Sequence, residues 1–129
     1  MTFLQQRTKE ERPWGSFERF TANESSTVKI IRVLAGKELS LQKHEARSEF
    51  WRVLEGTGVV TIGTEAYPAT AGDEFEIGAT TPHRLAAGKS GITILEIAFG
   101  HFDENDEVRL ADDYGRGSPE AGAAAIGQI

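Results

Sequence analysis

The chain has 129 residues, of which 39% are hydrophobic and 26% charged, a composition typical of one soluble globular domain. Its formal net charge of −6 argues against a nucleic-acid partner, because phosphate binding needs a basic surface. The absence of cysteine excludes disulfides and thiolate metal sites. No run of 18 apolar residues is present, and the first residues lack the apolar segment of a signal peptide. We therefore expect no membrane association and a cytoplasmic location.

The first part of the chain predicts an irregular lead followed by two strands. Residues 1–11 are polar and charged, and we expect them to form a flexible arm. The following Arg12-Pro13-Trp14-Gly15 disfavours a helix, because proline restricts the residue before it to extended geometry. A short strand is predicted at residues 16–21. The β-branched residues of the segment 28–34 predict a second one.

The stretch from Gly36 to Gly56 contains three candidate metal ligands. Apolar and polar residues alternate over residues 39–44, so Gln42 and His44 share one face of a predicted strand. Glu49 opens the next strand and returns to that face if the chain reverses just before it. Such a polar row lines a cavity or faces solvent, and the pattern alone leaves both interpretations open.

The rest of the chain predicts short strands separated by glycine-rich turns. We place turns at residues 55–58 and 87–91, and a strong late strand at residues 92–99. Residues 103–113 predict one or two helical turns, and residues 117–129 a loose C-terminal tail. Many short strands at intervals of roughly 8–12 residues indicate an all-β sandwich or barrel. Trp14 and Trp51 are expected in its core, whereas His101 and the acidic run at residues 103–107 are expected at the surface.

A second histidine, His83, follows a turn signal and enters another predicted strand. Imidazole, carboxylate and amide oxygen are ligands that a divalent first-row metal accepts. We predict that Gln42, His44, Glu49 and His83 converge inside the barrel and hold one metal. The alternative is that these are ordinary solvated surface residues, and their spacing alone does not exclude it.

The glycine and ligand spacings resemble the two sequence motifs of the cupin family. The first motif is matched, with glutamine in place of its first histidine, by Gly36, Gln42, His44, Glu49 and Gly56. The second is matched in part by Gly72, Gly78, Thr80, His83 and Ala87. The resemblance implies an all-β cupin jelly roll, a double-stranded β-helix barrel. We expect a single cupin domain over residues 1–129, with the barrel and its extensions at residues 12–116.

Further segments resemble type II mannose-6-phosphate isomerases, and more closely the cupin domain that in that family often follows a mannose-1-phosphate guanylyltransferase domain. The matching residues are 12–18, 39–42, Arg47, Glu49, Trp51, 82–85 and 113–116. The resemblance implies a metal, usually zinc, with manganese, nickel and iron as alternatives, on Gln42, His44, Glu49 and His83. Two more histidines commonly precede the family's arginine. Here Glu45 and Ala46 stand in their place, a departure that bears on substrate, metal and rate.

The activity that the resemblance implies is aldose–ketose isomerisation of a sugar phosphate, most simply the interconversion of mannose 6-phosphate and fructose 6-phosphate. This chemistry needs a proton-transfer group and a group that binds phosphate. Arg47, Arg84 and Glu96 are the candidate catalytic residues, and Arg47 and Arg116 the candidate substrate-binding residues. Arg84, Glu96 and Arg116 also fit surface or edge positions, and the sequence does not decide between these placements.

Two other functions are compatible with the same residues. One is a non-catalytic sugar- or metal-binding cupin, which Glu45 and Ala46 favour. The other is a metal-dependent dioxygenase, which Gln42 disfavours because oxygen-activating cupins usually carry three histidines and a glutamate. Because cupins are commonly dimers, we also expect a homodimer. We expect no nucleotide-sugar synthesis from a sequence of this length.

Overall fold

The computed structural model describes residues 4–116, and all regular structure in this range is β-strand. These residues form nine strands: β1 (Thr8–Arg12), β2 (Gly15–Arg19), β3 (Ser26–Val33), β4 (Leu41–Lys43), β5 (Arg47–Ile62), β6 (Glu65–Thr70), β7 (Glu74–Ile77), β8 (His83–Gly100) and β9 (Val108–Ala111). The predicted all-β class is therefore confirmed. The described residues contain no helix, and so none that is long and apolar enough to cross a membrane.

Two antiparallel sheets account for these strands. β1 and β2 pair only with each other. The other seven strands form one sheet in the order β6-β5-β8-β4-β9, with β3 also paired to β8 and β7 to β5. The strands β5 and β8 span 16 and 18 residues and pair with each other along most of their length. These two strands therefore form the centre of the large sheet, to which most of its other strands pair.

The turns predicted at residues 55–58 and 87–91 are wrong, because both segments lie inside the long strands β5 and β8. The register between these strands shifts between Val53 and Glu55 and again between Gly56 and Gly58. A Cβ atom on Gly58 would lie 2.1 Å from the carbonyl oxygen of Ala86. Glycine is thus needed here because two backbones approach closely at a bulge, and not because the chain turns back.

The main core lies on the inner face of the large sheet. It is formed by alternate residues of the long strands and their neighbours, namely Val33, Trp51, Val53, Val60, Ala69, Ile77, Leu85, Ile92 and Ile94. The placement of Trp51 in the core is confirmed. The same prediction for Trp14 is wrong, since Trp14 lies at the connection between β1 and β2 and is 72% exposed.

Residues 4–11 depart from the flexible arm predicted for residues 1–11, of which residues 1–3 lie outside the described residues. Leu4 is buried and packs with Phe50 and Ile97 on the outer face of the sheet, and Thr8–Arg12 form strand β1. Burial of an apolar side chain supplies the free energy that orders this segment. The helical turns predicted for residues 103–113 are also wrong, because strand β9 lies there and pairs with β4. The tail predicted at residues 117–129 lies outside the described residues.

Candidate metal centre

Strand register brings the four predicted ligands to one end of the core. Gln42 on β4 is the direct partner of His83, the first residue of β8. His44 follows β4 immediately, and Glu49 lies on β5 opposite Ala98 of β8. The pairing of β8 with β4 and β5 therefore places His83 beside candidate ligands that lie roughly 40 residues earlier in the sequence.

Three of the four side chains form a compact buried cluster. His44 Nε2 lies 3.3 Å from Glu49 Oε2, and His83 Nε2 lies 3.5 Å from Glu49 Oε1. One ligand atom from each of the three residues lies within 4.8 Å of the others. All three residues are at most 3% exposed. The predicted convergence of these residues is confirmed, and they form a group that could hold a metal ion.

The protonation pattern of the histidines also fits a metal. Each Nδ1 atom faces a main-chain carbonyl oxygen, at 2.7 Å from Asp106 for His44 and 2.9 Å from Thr81 for His83. A carbonyl oxygen can only accept, so each Nδ1 carries a hydrogen. Each Nε2 then donates to Glu49 when its ring is protonated, and presents a lone pair beside Glu49 when its ring is neutral. Hydrogen bonds of this kind orient histidine ligands in metal proteins. Two lone pairs and a carboxylate that face one another leave a place for a cation.

Gln42 has an orientation that suits the role predicted for it. Its Nε2 donates to the hydroxyl of Ser40 at 3.0 Å and approaches the Ser40 carbonyl at 3.4 Å. Ser40 is itself buried, so this contact fixes the amide group. The amide oxygen is consequently the atom left for a ligand or a cation. That Gln42 binds metal stays a prediction.

The electrostatics of the cluster keep Glu49 charged. Burial alone would raise the pKa of Glu49, but the hydrogen bond with His44 and the positive charges of His83, His44 and Arg47 lower it to about 2. Burial lowers the pKa of His44, yet its bonds to Glu49 and to the Asp106 carbonyl outweigh burial and raise it above its ordinary value. For His83 burial dominates, and its pKa is lowered.

Arg47 lies against this cluster as the first residue of β5, and it is 4% exposed. Its Nε donates to Glu49 Oε2 at 3.2 Å, and its Nη2 lies 3.3 Å from His44 Nε2. The guanidinium also stacks on Phe102, with Cζ 4.5 Å from the ring centroid. A metal bound to His44 would take the lone pair that Nη2 now contacts. Metal binding would therefore free Nη2 from this contact.

Glu96 lies at the inner face of β8, so the structure has the inward position of the two that the sequence left open. It is 4% exposed and accepts a hydrogen bond from Trp51 Nε1 at 3.2 Å, and the same indole nitrogen donates to Glu49 at 3.0 Å. Burial and the nearby charge of Glu49 raise the pKa of Glu96 to about 7. Its partner on β3 is Lys29, which lines the same cavity.

These groups surround a cavity of about 210 Å³. Basic residues outnumber acidic residues in its wall, and they are Lys29, Arg47, Arg84, Arg109 and Arg116, against Glu49, Glu96 and Glu107. This wall contrasts with the net charge of −6 on the whole chain. Arg116 pairs with Asp112 at 2.9 Å. Arg84 donates to the carbonyl oxygens of Leu39 and Ala111 and lies 3.4 Å from Glu38.

Comparison with known proteins identifies the family. Residues 2–113 match the family described as mannose-6-phosphate isomerase C-terminal. The chain belongs to this family. The resemblance found in the sequence is therefore confirmed.

Several curated relatives are longer proteins. The xanthan biosynthesis protein XanB of Xanthomonas campestris is 38% identical over 107 residues, which are 81% of this chain and 23% of XanB. The alginate biosynthesis protein AlgA of Pseudomonas aeruginosa is 39% identical over 81% of this chain and 22% of AlgA. The mannose-1-phosphate guanylyltransferase of Escherichia coli is 36% identical with the same two coverages. The chain thus spans less than a quarter of the length of these relatives.

Solved structures confirm the predicted cupin fold. A cupin protein from Bacteroides fragilis matches 82% of this chain and 92% of its own, with a TM-score of 0.56 and 21% identity. KdgF from Halomonas sp. matches 67% of this chain and 78% of its own, with a TM-score of 0.59 and 16% identity. At these identities the likeness concerns the fold alone.

In this member of the mannose-6-phosphate isomerase C-terminal family, the two positions at which the sequence was expected to depart from the resembled motif lie outside the cavity. Glu45 and Ala46 are exposed, and neither lines the cavity wall. The Glu45 carboxylate instead lies near Lys43, with Oε2 3.6 Å from Nζ. Their substitution therefore changes none of the side chains that surround the candidate metal centre.

Sequence reasoning missed several residues of this site. Ser40 anchors Gln42, and Glu107 and Arg109 line the cavity. Asp106 was assigned to a solvated acidic run, but it binds the segment that carries His44. Glu107 directly precedes β9 and Arg109 lies in it, so the two are two residues apart in extended chain. This spacing was the one local indication that their side chains point to the same face of the sheet. No such signal marked Asp106, because its partners lie about 60 residues earlier in the sequence.

Proposed function

We propose that this protein is a metal-dependent aldose–ketose isomerase of sugar phosphates, and that it interconverts mannose 6-phosphate and fructose 6-phosphate. One observation carries the proposal, namely a cavity in which a two-histidine, one-carboxylate cluster faces a buried acid and a mainly basic wall. Membership of the family supports the same substrate class. The excess of basic residues in the cavity wall suits an anionic substrate, and it contrasts with the negative net charge of the whole chain.

Four residues would hold the metal, for which zinc is our expectation. His44, Glu49 and His83 supply the cluster, and Gln42 adds its amide oxygen. A divalent ion in this position supplies Lewis-acid polarisation of the substrate oxygens. Two neutral nitrogens, one amide oxygen and one carboxylate leave the site with a net positive charge and with room for substrate oxygens.

Glu96 is the residue that we assign to proton transfer. Its raised pKa of about 7 lets it accept and return a proton near neutral pH. The Glu96 carboxylate takes the proton from C2 of the aldose and returns it to C1, while the hydroxyl proton at C2 passes to the oxygen at C1. The bond from Trp51 Nε1 holds the carboxylate in place during both transfers.

Arg47 and Arg116 are assigned to the substrate anion. Arg47 Nη2, now 3.3 Å from His44 Nε2, would be available to a substrate oxygen if His44 held a metal through that nitrogen. Arg116 lines the cavity with its Nε and Nη2 donating to Asp112 at 3.1 and 2.9 Å, which leaves Nη1 for a phosphate oxygen. Arg84 is already engaged by two carbonyl oxygens and lies near Glu38, so its catalytic role stays a prediction.

A coupled assay on the zinc-loaded protein tests this proposal. We expect conversion of mannose 6-phosphate to fructose 6-phosphate. We also expect Glu96→Gln to lose activity by roughly 10²–10⁴-fold while it keeps its zinc, because a positioned proton-transfer group contributes about that factor. Glu45→Ala serves as the control, since Glu45 is exposed and lies outside the cavity.

Other outcomes of the same assay would reject the proposal. Full activity in Glu96→Gln would reject Glu96 as the proton-transfer group. Zinc binding without any isomerisation would indicate a non-catalytic binding protein. Oxygen uptake by the iron-loaded protein would indicate a dioxygenase instead.

A further inference from the structure

A loop of residues 103–107, here called the acidic loop, lies against the segment that carries His44 and Arg47. Asp106 Oδ1 accepts a hydrogen bond from the main-chain N–H of Glu45 at 2.8 Å, and Asp106 Oδ2 accepts one from Ala46 at 2.9 Å. The carbonyl oxygen of the same residue accepts from His44 Nδ1 at 2.7 Å. One residue thus binds three consecutive positions of the chain.

The acidic loop also holds the arginine of the site. Arg47 Nη1 donates to the carbonyl oxygen of Asp103 at 3.1 Å. Within the loop, Asp106 N donates to the Asp103 carbonyl at 2.9 Å, and Asn105 N donates to Asp103 Oδ1 at 2.9 Å. The loop is therefore closed on itself and presents two carbonyl oxygens and one carboxylate to residues 44–47.

These contacts bear on the metal cluster because residues 44–46 form the short connection between β4 and β5. No strand pairing includes this connection, although the Thr80 N–H donates to the His44 carbonyl oxygen at 2.6 Å, and Glu45 and Ala46 turn their side chains to solvent. The Asp106 carboxylate satisfies two consecutive N–H groups that β-pairing leaves free, in the manner of an anion held in a backbone nest. Its removal would leave His44 attached to a connection without a side-chain anchor.

We propose that Asp106 is a positioning residue of the metal centre, which holds the β4–β5 connection so that His44 Nε2 faces Glu49 and His83. The inference rests on the proposed metal-binding function. Asp106 does not line the cavity, and it acts on the site through the main chain of Glu45 and Ala46 and through the His44 ring. Outer residues that orient a ligand typically change metal affinity by 10–100-fold when they are lost.

Two measurements on the full chain test this role. The first is amide hydrogen exchange at Glu45 and Ala46, together with the ¹⁵N shifts of the His44 ring, in the metal-free protein. The second is the dissociation constant for zinc. Asp106→Ala keeps the main-chain carbonyl that accepts from His44 Nδ1 and removes the carboxylate. For this variant we expect faster exchange at both amides, shifted ¹⁵N signals of the displaced His44 ring and zinc binding roughly 10–100-fold weaker. Asp106→Asn keeps one acceptor oxygen and should fall between the two proteins.

Asp73→Ala is the matched control. Asp73 Oδ2 accepts a hydrogen bond from the Thr70 N–H at 2.9 Å, so this substitution also removes a carboxylate bond to the main chain, but at a turn away from the cavity. We expect it to lower the melting temperature of the metal-free protein without any change in zinc affinity. This control separates general stability from positioning.

Several results would overturn the inference. Wild-type zinc affinity in folded Asp106→Ala would do so, and if that variant does not fold, the same result in Asp106→Asn would. Unfolding of both variants would also contradict a positioning role, since such a role requires a folded chain. If the wild-type protein binds no zinc, the proposed function fails on its own. Exchange at Glu45 and Ala46 then decides about Asp106, and unchanged protection would reject it.

Discussion

At the scale of single residues, the two histidines share a feature that controls when a metal can bind. Both rings donate from Nδ1 to a carbonyl oxygen, so each Nε2 is free for a metal only while the ring is neutral. The pKa of His44 is raised and that of His83 is lowered. His44 is therefore the residue at which protons compete with a metal, while Glu49, with a pKa of about 2, stays ionised throughout.

We expect zinc affinity to fall on acidification. A raised pKa means that His44 takes up its proton at a higher pH than an ordinary histidine, so the competition begins earlier as the pH falls. Above that pKa the affinity should be nearly constant. Below it the affinity should drop by about tenfold per pH unit, because one proton is displaced for each ion. Isothermal titration with zinc between pH 5 and pH 8 measures this directly, and an affinity independent of pH over that interval would contradict it.

Glu96 makes a separate prediction about stability in the metal-free protein. Its pKa is raised from 4.5 to about 7 in the folded state, so the folded state holds a proton that the unfolded state releases between these values. The stabilisation is complete below the unfolded pKa and is lost as the pH rises through about 7. The change is on the order of 3 kcal/mol, at about 1.36 kcal/mol per pKa unit.

Replacing Glu96 by glutamine removes this pH dependence. The unfolding free energy of Glu96→Gln should vary less between pH 4.5 and pH 8 than that of the wild type, and urea denaturation in the presence of a chelator measures both. Glu65→Gln is the control, because Glu65 is exposed at the start of β6. Parallel pH profiles for wild type and Glu96→Gln would show that the buried carboxyl does not titrate as described.

At the scale of elements, the long strands β5 and β8, whose pairing shifts register near Gly56, supply residues to both the core and the candidate metal centre. β8 begins with His83, carries Leu85, Ile92 and Ile94 into the core, and reaches Glu96 near its other end. Glycine permits the two backbones to approach at the register shift. At Gly56, which has a positive φ of 85°, an added Cβ would lie 2.1 Å from the carbonyl oxygen of Gly91.

A matched pair of substitutions tests this close approach. Gly63 also has a positive φ, of 63°, but an added Cβ would meet no atom within 4 Å. Gly63→Ala should therefore cost only the left-handed backbone penalty, roughly 1–2 kcal/mol. Gly56→Ala should cost that amount plus about 1–3 kcal/mol for the overlap with β8. Equal losses of unfolding free energy in urea would show that the strands at Gly56 have room to separate.

The sequence predicted well what depends on local periodicity. Alternation placed Gln42 and His44 on one face, and the cupin-like spacing joined them to Glu49 and His83, of which the two histidines and the glutamate do form one cluster. The prediction failed at glycines, because glycine occurs both in turns and where two backbones approach closely within strands. Gly58 and Gly88 read as turn residues, although each is a site of close backbone approach inside a long strand.

Other features could not be read because they depend on distant partners. Leu4 is buried by Phe50 and Ile97, and no local pattern indicates that contact, because these partners lie 46 and 93 residues later in the sequence. Asp106 reaches back to Glu45 and Ala46 across about 60 residues. Trp14 has a large apolar side chain, which favours a core position, but its place at the β1–β2 connection leaves it exposed.

At the scale of the whole molecule, charge is distributed unevenly. The chain carries a net charge of −6, yet basic residues predominate in the cavity wall. This local reversal favours anionic substrates inside the cavity while the remaining surface stays acidic. The expected homodimer stays a prediction, which light scattering of the purified protein would test.

The central claim is that one divalent ion is held by Gln42, His44, Glu49 and His83. Titration of the metal-free protein with zinc, monitored by isothermal calorimetry, tests it most directly. We predict one equivalent of zinc for the wild type and a loss of affinity greater than roughly 100-fold for His83→Ala, beyond the range seen for outer residues. Gln42→Ala should lose less, since an amide is a weak ligand. Unchanged one-to-one binding in His83→Ala, or no binding in the wild type, would contradict the account.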